Sequence, residues 1–338
     1  MPLPDRTCLR KRHRLSHQQI DQLLGENRSN EFVKDKTDQL EAVRIFLWIT
    51  DQLRENNIPF VCIKGYLLSF LIYGDASVRI SHDIDILVHT DHIDSSIKLL
   101  VREGYHLDGK LIWPDDKKQQ EMVIGLCHHL SFSNPEKKSC VEIHWTLTPT
   151  LPVSQSIIND LVDGNLTEME YSGRKFTVLK KEIELLFLLI HGSSHGWRRL
   201  KWLVDIHDYP LEDIDPDLFN SLATRLHAGR IIGQANFLLI RYFNKQLTFR
   251  GDAHIPAYFI RYAQQCIKEE NKNAQTLYET IRFFRYQSMM FPTLAYRTNY
   301  LLGIFDRPWD IESLRYSSRM IRFLYRPYRI IKRRLSHE

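Results

Sequence analysis

Two aspartates one residue apart, in His82-Asp83-Ile84-Asp85-Ile86-Leu87-Val88, are the residues of this chain best placed to do chemistry. Side chains alternate along a strand, so both carboxylates leave one face while Ile84, Ile86 and Val88 pack on the other. Held that close, each carboxylate makes the other harder to ionise, and a divalent cation is the usual remedy. Alone, the pair also fits a solvated strand edge. Three further groups favour the metal reading. Lys64-Gly65 follows the apolar run Phe60-Val61-Cys62-Ile63, Arg79 precedes the aspartates, and Glu142 stands in Val141-Glu142-Ile143-His144-Trp145. A glycine turn entering a helix offers unpaired backbone N–H groups and partial positive charge to a triphosphate, and Lys64 adds a mobile cation. Three carboxylates can hold two Mg²⁺, one activating an attacking hydroxyl and the other neutralising the leaving pyrophosphate. Each piece has a plainer reading. Lys64-Gly65 fits an ordinary turn, Glu142 fits a solvent-facing position between two apolar neighbours, and Arg79 fits equally an ion pair with Asp83 or Asp85 and a substrate contact.

The elements that must position these groups follow from periodicity. Apolar positions at helical spacing from Thr37 to Asn56 predict a helix that delivers the chain into strand 60–63. A helix over Tyr66–Tyr73, the aspartate strand 83–88, a helix from Asp91 to about Gly104, and strands 128–133 and 141–145 come next, which suits a mixed α/β sheet with flanking helices. After Pro149 the character changes. Tyr171-Ser172-Gly173-Arg174 reads as a hairpin tip leading into Lys175–Leu179, and from Lys181 the pattern is helical. Four regions are expected: a basic helical extension at 1–36, a sheet domain at 37–150, a mainly helical domain at 151–314 that closes a cleft over it, and a basic amphipathic tail at 315–338.

The helical half carries its own polar set. His191, His195, Arg198, Trp202 and Asp205 fall at spacings that predict one helical face within 188–207. The two histidines have the spacing of a zinc pair, but no glutamate follows the first and no third ligand is evident. The face reads either as a polar packing seam, with Trp202 in the core, or as the roof of the cleft, with His195 and Arg198 on the nucleotide. His128, His129 and His144 also lie near the site in sequence. His144 shares a strand face with Glu142, so it is either an orienting partner or a structural histidine.

Bulk properties narrow the class. The 338 residues are 43% hydrophobic and 26% charged, an ordinary globular composition long enough for two cores. Five cysteines without CxxC spacing argue against disulfides and thiolate zinc, and no run reaches membrane-spanning length, so a cytoplasmic protein is expected. The net charge of +5 is uneven. Residues 315–338 hold eight Lys or Arg and one Glu, a net +7 that leaves −2 for the rest. The spacing of Arg315, Arg319, Arg322, Arg326, Arg329 and Arg333 predicts an arginine stripe, interrupted at Pro327, suited to an anionic membrane surface or to a solvated terminal helix. The mildly acidic body argues against a nucleic-acid partner.

Ile63-Lys64-Gly65, Tyr73, Arg79, Asp83-Ile-Asp-Ile-Leu-Val88 and Glu142-Ile-His-Trp145 together resemble the DNA polymerase β-like nucleotidyltransferase superfamily. The closest likeness is to a poorly characterised bacterial nucleotidyltransferase family in which Lys-Gly stands where other branches have Gly-Ser. The resemblance implies a nucleotidyltransferase-type mixed sheet in 37–150 and transfer of a nucleoside monophosphate from an NTP such as ATP to a hydroxyl or phosphate acceptor: a small molecule, sugar or peptide. It implies Asp83, Asp85 and Glu142 as catalytic metal ligands for two Mg²⁺, or Mn²⁺ in their place. Lys64, Gly65, Arg79, His195 and Arg198 are the expected nucleotide contacts. Tyr66 stands where the wider superfamily has serine, and Glu142 where aspartate is common. These departures leave a non-catalytic nucleotide-binding or scaffold protein as the competing expectation.

Overall fold

The computed structural model describes residues 3–26, 32–109, 111–148, 151–269 and 276–304. The arginine stripe of 315–338 and the last ten residues of the expected helical domain lie outside the described residues. Three helices open the chain: α1 (Arg6–Lys11), α2 (His17–Leu24) and α3 (Phe32–Glu55). Ser16 and Gln19 form a reciprocal cap at the start of α2, satisfying backbone N–H groups that a helix start leaves unpaired. Then come β1 (Val61–Cys62), α4 (Gly65–Tyr73), β2 (Asp83–Leu87), α5 (Ile93–Arg102), β3 (His106–Leu107), α6 (Lys117–Leu126), β4 (His129–Asn134) and β5 (Ser139–His144). After α7 (Gln155–Asp163), the hairpin β6 (Leu166–Tyr171) and β7 (Arg174–Leu179) leads into helices only: α8 (Lys181–Ser194), α9 (Leu200–His207), α10 (Pro216–Arg225), α11 (Gly229–Phe243), α12 (Ala257–Lys268), α13 (Leu277–Gln287) and α14 (Leu294–Ile304).

The strands make one seven-stranded mixed sheet in the order β3-β4-β5-β2-β1-β7-β6. β2 runs parallel to β5 and β1 parallel to β7, while the remaining neighbours are antiparallel. The sheet therefore continues past residue 150, where a domain boundary was expected, because the 166–179 hairpin adds to its β1 edge. α8 is buried along almost its whole length, as its Ile183-to-Ile190 run of apolar residues requires.

The two faces of β2 meet different cores. Ile84 and Ile86 pack with Val43, Phe46 and Ile49 of α3 and Ile97 and Leu100 of α5. Leu87, on the aspartate face, joins the cluster formed with Leu186, Phe187 and Ile190 of α8 and Leu203 of α9. The aspartates are thus aimed at the helical half of the molecule.

The single helical face expected over 188–207 is two helices. α8 stops at Ser194, Gly196 and Trp197 adopt left-handed backbone (φ +62° and +55°), and α9 begins at Leu200. The reason is local packing. The Trp197 N–H returns to the Gly192 carbonyl at 2.9 Å, and the indole lies so close to Gly192 that a Cβ there would sit 2.2 Å from Trp197 Cζ3. The turn nevertheless keeps the set together: the His195 ring stacks on Trp202 at 4.8 Å and meets His191 at 4.7 Å.

The basic N-terminal segment is structural. Arg12 donates to the carbonyls of Ile267 (2.6 Å) and Cys266 (2.5 Å), and His13 Nδ1 accepts the Leu200 N–H at 3.0 Å. Burial, assisted by the Arg12 charge, lowers His13 to a pKa of about 4, so the ring is a neutral acceptor. No described helix is long and apolar enough to cross a membrane.

Candidate active site

Register brings the carboxylates together. Asp85 on β2 is the direct neighbour of Glu142 on β5, and Asp83 lies one pleat away on the same face. β4 then places Ser131 opposite Glu142 and His129 opposite His144. The Ser131 hydroxyl donates to Glu142 Oε1 at 3.3 Å.

The inner part of the site is a charge-compensated cluster. Lys64 Nζ lies 2.9 Å from Asp85 Oδ1, and His144 Nε2 lies 3.0 Å from that oxygen and 3.1 Å from Glu142 Oε2. Burial pushes the Asp85 carboxyl up, but the Lys64 charge and the His144 hydrogen bond outweigh it and hold Asp85 well below the usual range. Glu142 is lowered in the same way: the His144 hydrogen bond overcomes burial. For His144 and Lys64 the balance runs in the other direction. Burial would lower them, yet the facing carboxylates raise both. His144 therefore bridges the two acids. Asp83 is half-buried at the mouth of the strand, its Oδ1 accepting the His82 N–H at 3.2 Å.

The Lys64-Gly65 turn is strained. Lys64 has φ 54° and ψ −138°, a conformation that favours glycine, and Gly65, the first residue of α4, follows at φ +57°. The helix start lies next to β2, with Ile63 N–H reaching the Asp85 carbonyl at 3.4 Å. The turn is held from above. The buried Glu184 carboxylate on α8 accepts the Lys64 backbone N–H and the Tyr209 hydroxyl (3.1 Å), and burial raises Glu184 to about 7. Neither Glu184 nor Tyr209 was anticipated from sequence. The one available signal was an acid inside an otherwise apolar, buried helix.

Around the cluster lie four more imidazoles. His129 Nδ1 is 2.8 Å from His128 Nε2, and the His129 ring stacks on His144 with centroids 4.9 Å apart. Burial, then neighbouring histidine charge, lowers His128 to about 2 and His129 to about 4. On the roof, burial and then Arg198 lower His195 to about 3, while His191 falls well below its ordinary value through burial and the Lys64 charge. Arg198 is half-buried beside this pair, its Nε donating to the His195 carbonyl at 3.3 Å.

Arg79 is paired differently from the ion pair expected with Asp83 or Asp85. Its guanidinium makes a bidentate pair with Asp205 on α9 (Nε–Oδ1 2.8 Å, Nη2–Oδ2 2.9 Å), not with Asp83 or Asp85, and both partners are fully enclosed. Lys201, one turn earlier on α9, donates to the Ile80 carbonyl. These two contacts bolt α9 to the segment that leads into β2.

The mixed sheet thus brings together a glycine turn into a helix, an Asp-x-Asp strand and a third carboxylate on the adjacent strand. The chain belongs to the family described as "Uncharacterised nucleotidyltransferase", which matches residues 12–244. No curated protein matches it. Among solved structures it is similar to the lincomycin-bound lincosamide antibiotic adenylyltransferase LnuA, at 20% identity and a TM-score of 0.30 over 42% of this chain and 82% of that one. It is also similar to the antibiotic-resistance factor ANT(2'')-Ia, at 12% identity and a TM-score of 0.32 over 60% and 94%. A third likeness is to an antigenic nucleotidyltransferase-like protein from Paracoccidioides brasiliensis, at 17% identity and a TM-score of 0.36 over 61% and 89%.

Proposed function

We propose that the protein transfers a nucleoside monophosphate from an NTP to a hydroxyl or phosphate acceptor. The acceptor oxygen attacks the α-phosphorus, the bond to the β-phosphate oxygen breaks, pyrophosphate leaves, and the acceptor proton passes to the Glu142 carboxylate. The observation that carries this reading is the register of Asp83, Asp85 and Glu142 beside a strained Lys64-Gly65 turn, in a chain of this family.

Mg²⁺ fits the donor set. Asp83, Asp85 and Glu142 offer hard oxygen atoms from adjacent strands, and the inner pair already gathers the Lys64 ammonium and the His144 ring. Bound there, Mg²⁺ would supply charge neutralisation to the α-phosphate and to the leaving group. The chain's own groups do the rest. Gly65 and the first turn of α4 present backbone N–H groups to the triphosphate, and the Lys64 ammonium exchanges Asp85 for phosphate oxygen. His144 keeps Asp85 and Glu142 aligned. His195 and Arg198 contact the nucleotide from the roof, and Arg79 acts by fixing α9 rather than by touching substrate.

Titrating each NTP into the protein with and without Mg²⁺, for wild type and Asp83→Asn, tests this reading. Metal-dependent binding of one NTP that the variant loses supports it. Asp83 makes no ion pair among the described residues, so the variant keeps its fold. A second reading, a nucleotide-binding scaffold without turnover, is favoured by one observation: Lys64 already neutralises Asp85. Metal-independent NTP binding, equal in wild type and variant, supports that alternative.

A further inference from the structure

The nitrogen donors beside the carboxylates are not explained by an oxygen-liganded magnesium site. His129, Glu142 and His144 each offer one ligand atom, and the three atoms lie within 4.8 Å of one another. Each imidazole already stands close to one oxygen of the Glu142 carboxylate: Oε2 to His144 Nε2 is 3.1 Å, and Oε1 to His129 Nε2 is 3.8 Å. Donors around a tetrahedral zinc, at about 2.0–2.1 Å from the metal, stand roughly 3.4 Å apart. The three donors therefore need to close in by little more than an ångström (about 4.8 to about 3.4 Å), and the two imidazole rings already stack.

Two independent features point the same way. His129 Nδ1 faces His128 Nε2 at 2.8 Å, so its other nitrogen is left turned towards Glu142. A hydrogen-bond partner on the far ring nitrogen is how proteins commonly set a ligating histidine. His144 is 3% exposed, and its Nε2 is aimed between Asp85 and Glu142, the position an ion would take.

We propose that His129, Glu142 and His144 bind a divalent transition ion, Zn²⁺ first among them, beside the Asp83–Asp85 pair and sharing Glu142 with it. Imidazole donors favour this class of ion over Mg²⁺. Asp85 Oδ1, 3.0 Å from His144 Nε2, lies within reach as a fourth ligand or as the hydrogen-bond acceptor for a bound water. The placement sets such a water next to the point where the acceptor hydroxyl must lose its proton. The inference deepens the transferase reading, since it names the ion at that site, but the binding itself needs no nucleotide.

The test uses chelator-treated full-length protein, Co²⁺ as the visible probe and Zn²⁺ as competitor, with no NTP present. The expected result is one equivalent of Co²⁺ showing imidazole-ligated absorption, displaced stoichiometrically by Zn²⁺ and not by a hundredfold excess of Mg²⁺. His129→Ala, whose side chain is at the partly open edge of the cluster, should weaken Zn²⁺ binding about 10- to 100-fold with an unchanged circular dichroism spectrum. His195→Ala should leave it unchanged. Displacement by Mg²⁺, equal affinity in wild type and His129→Ala, or loss confined to His195→Ala would each overturn the assignment. Failure of the transferase reading would appear elsewhere, as absent NTP binding with Zn²⁺ binding intact.

Discussion

Replacing Arg79 by methionine separates its two expected roles. The guanidinium is 4% exposed and Asp205 1% exposed, and two hydrogen bonds of 2.8 and 2.9 Å join them. Arg79→Met fills much of the same space but strands a buried carboxylate. Removing one member of a buried pair costs about 3–5 kcal/mol, against a total stability of about 5–15 kcal/mol. Urea unfolding followed by circular dichroism should show that loss. The double variant Arg79→Met, Asp205→Leu removes both charges and should recover most of it, because an apolar pair of similar volume is often as stable as the ion pair it replaces. The coupling from the cycle should exceed the loss in Arg79→Met alone, because each single variant strands a buried charge that the double variant does not. Unfolding within about 1 kcal/mol of wild type, combined with lost NTP affinity, would refute the structural role and return Arg79 to the nucleotide.

Two further outcomes are expected. His13 titrates at about 4 in the folded protein against 6.5 unfolded, so its contribution is complete above pH 6.5 and disappears as pH falls towards 4, a loss of about 3 kcal/mol. Urea midpoints between pH 7.5 and pH 4 should therefore fall more steeply in wild type than in His13→Gln, and parallel curves would contradict the assignment. Gly192→Ala should destabilise by about 1–3 kcal/mol, since its Cβ would meet Trp197 Cζ3 at 2.2 Å, and a thermal midpoint equal to wild type would mean that the indole can leave.

The parts of the site legible in sequence are those written in local periodicity. Asp83 and Asp85 could be placed on one strand face because strand alternation is a two-residue rule, and the Lys64-Gly65 turn because a glycine follows an apolar run. The paired identities were not legible. Glu142 and Asp85 are neighbours only through a parallel β2–β5 pairing between strands more than fifty residues apart, and Arg79 found Asp205 across 126 residues. The break between α8 and α9 was hidden by the 3.6-residue pattern itself, which continues through Gly196 and Trp197 although the backbone does not. β3 and α6 were missed for a different reason: β3 is two residues long, and α6 buries Val123 alone.

The Arg12 contacts with Cys266 and Ile267 set an order of events during synthesis. The amino end cannot reach its final partners until α12 has been made, some 255 residues later, and at ordinary ribosomal speed that interval is on the order of tens of seconds. Through that time Leu9, Leu15 and Ile20 have no finished core to enter. α1 and α2 thus stay open to chaperones and proteases until a helix some 255 residues further on has been made.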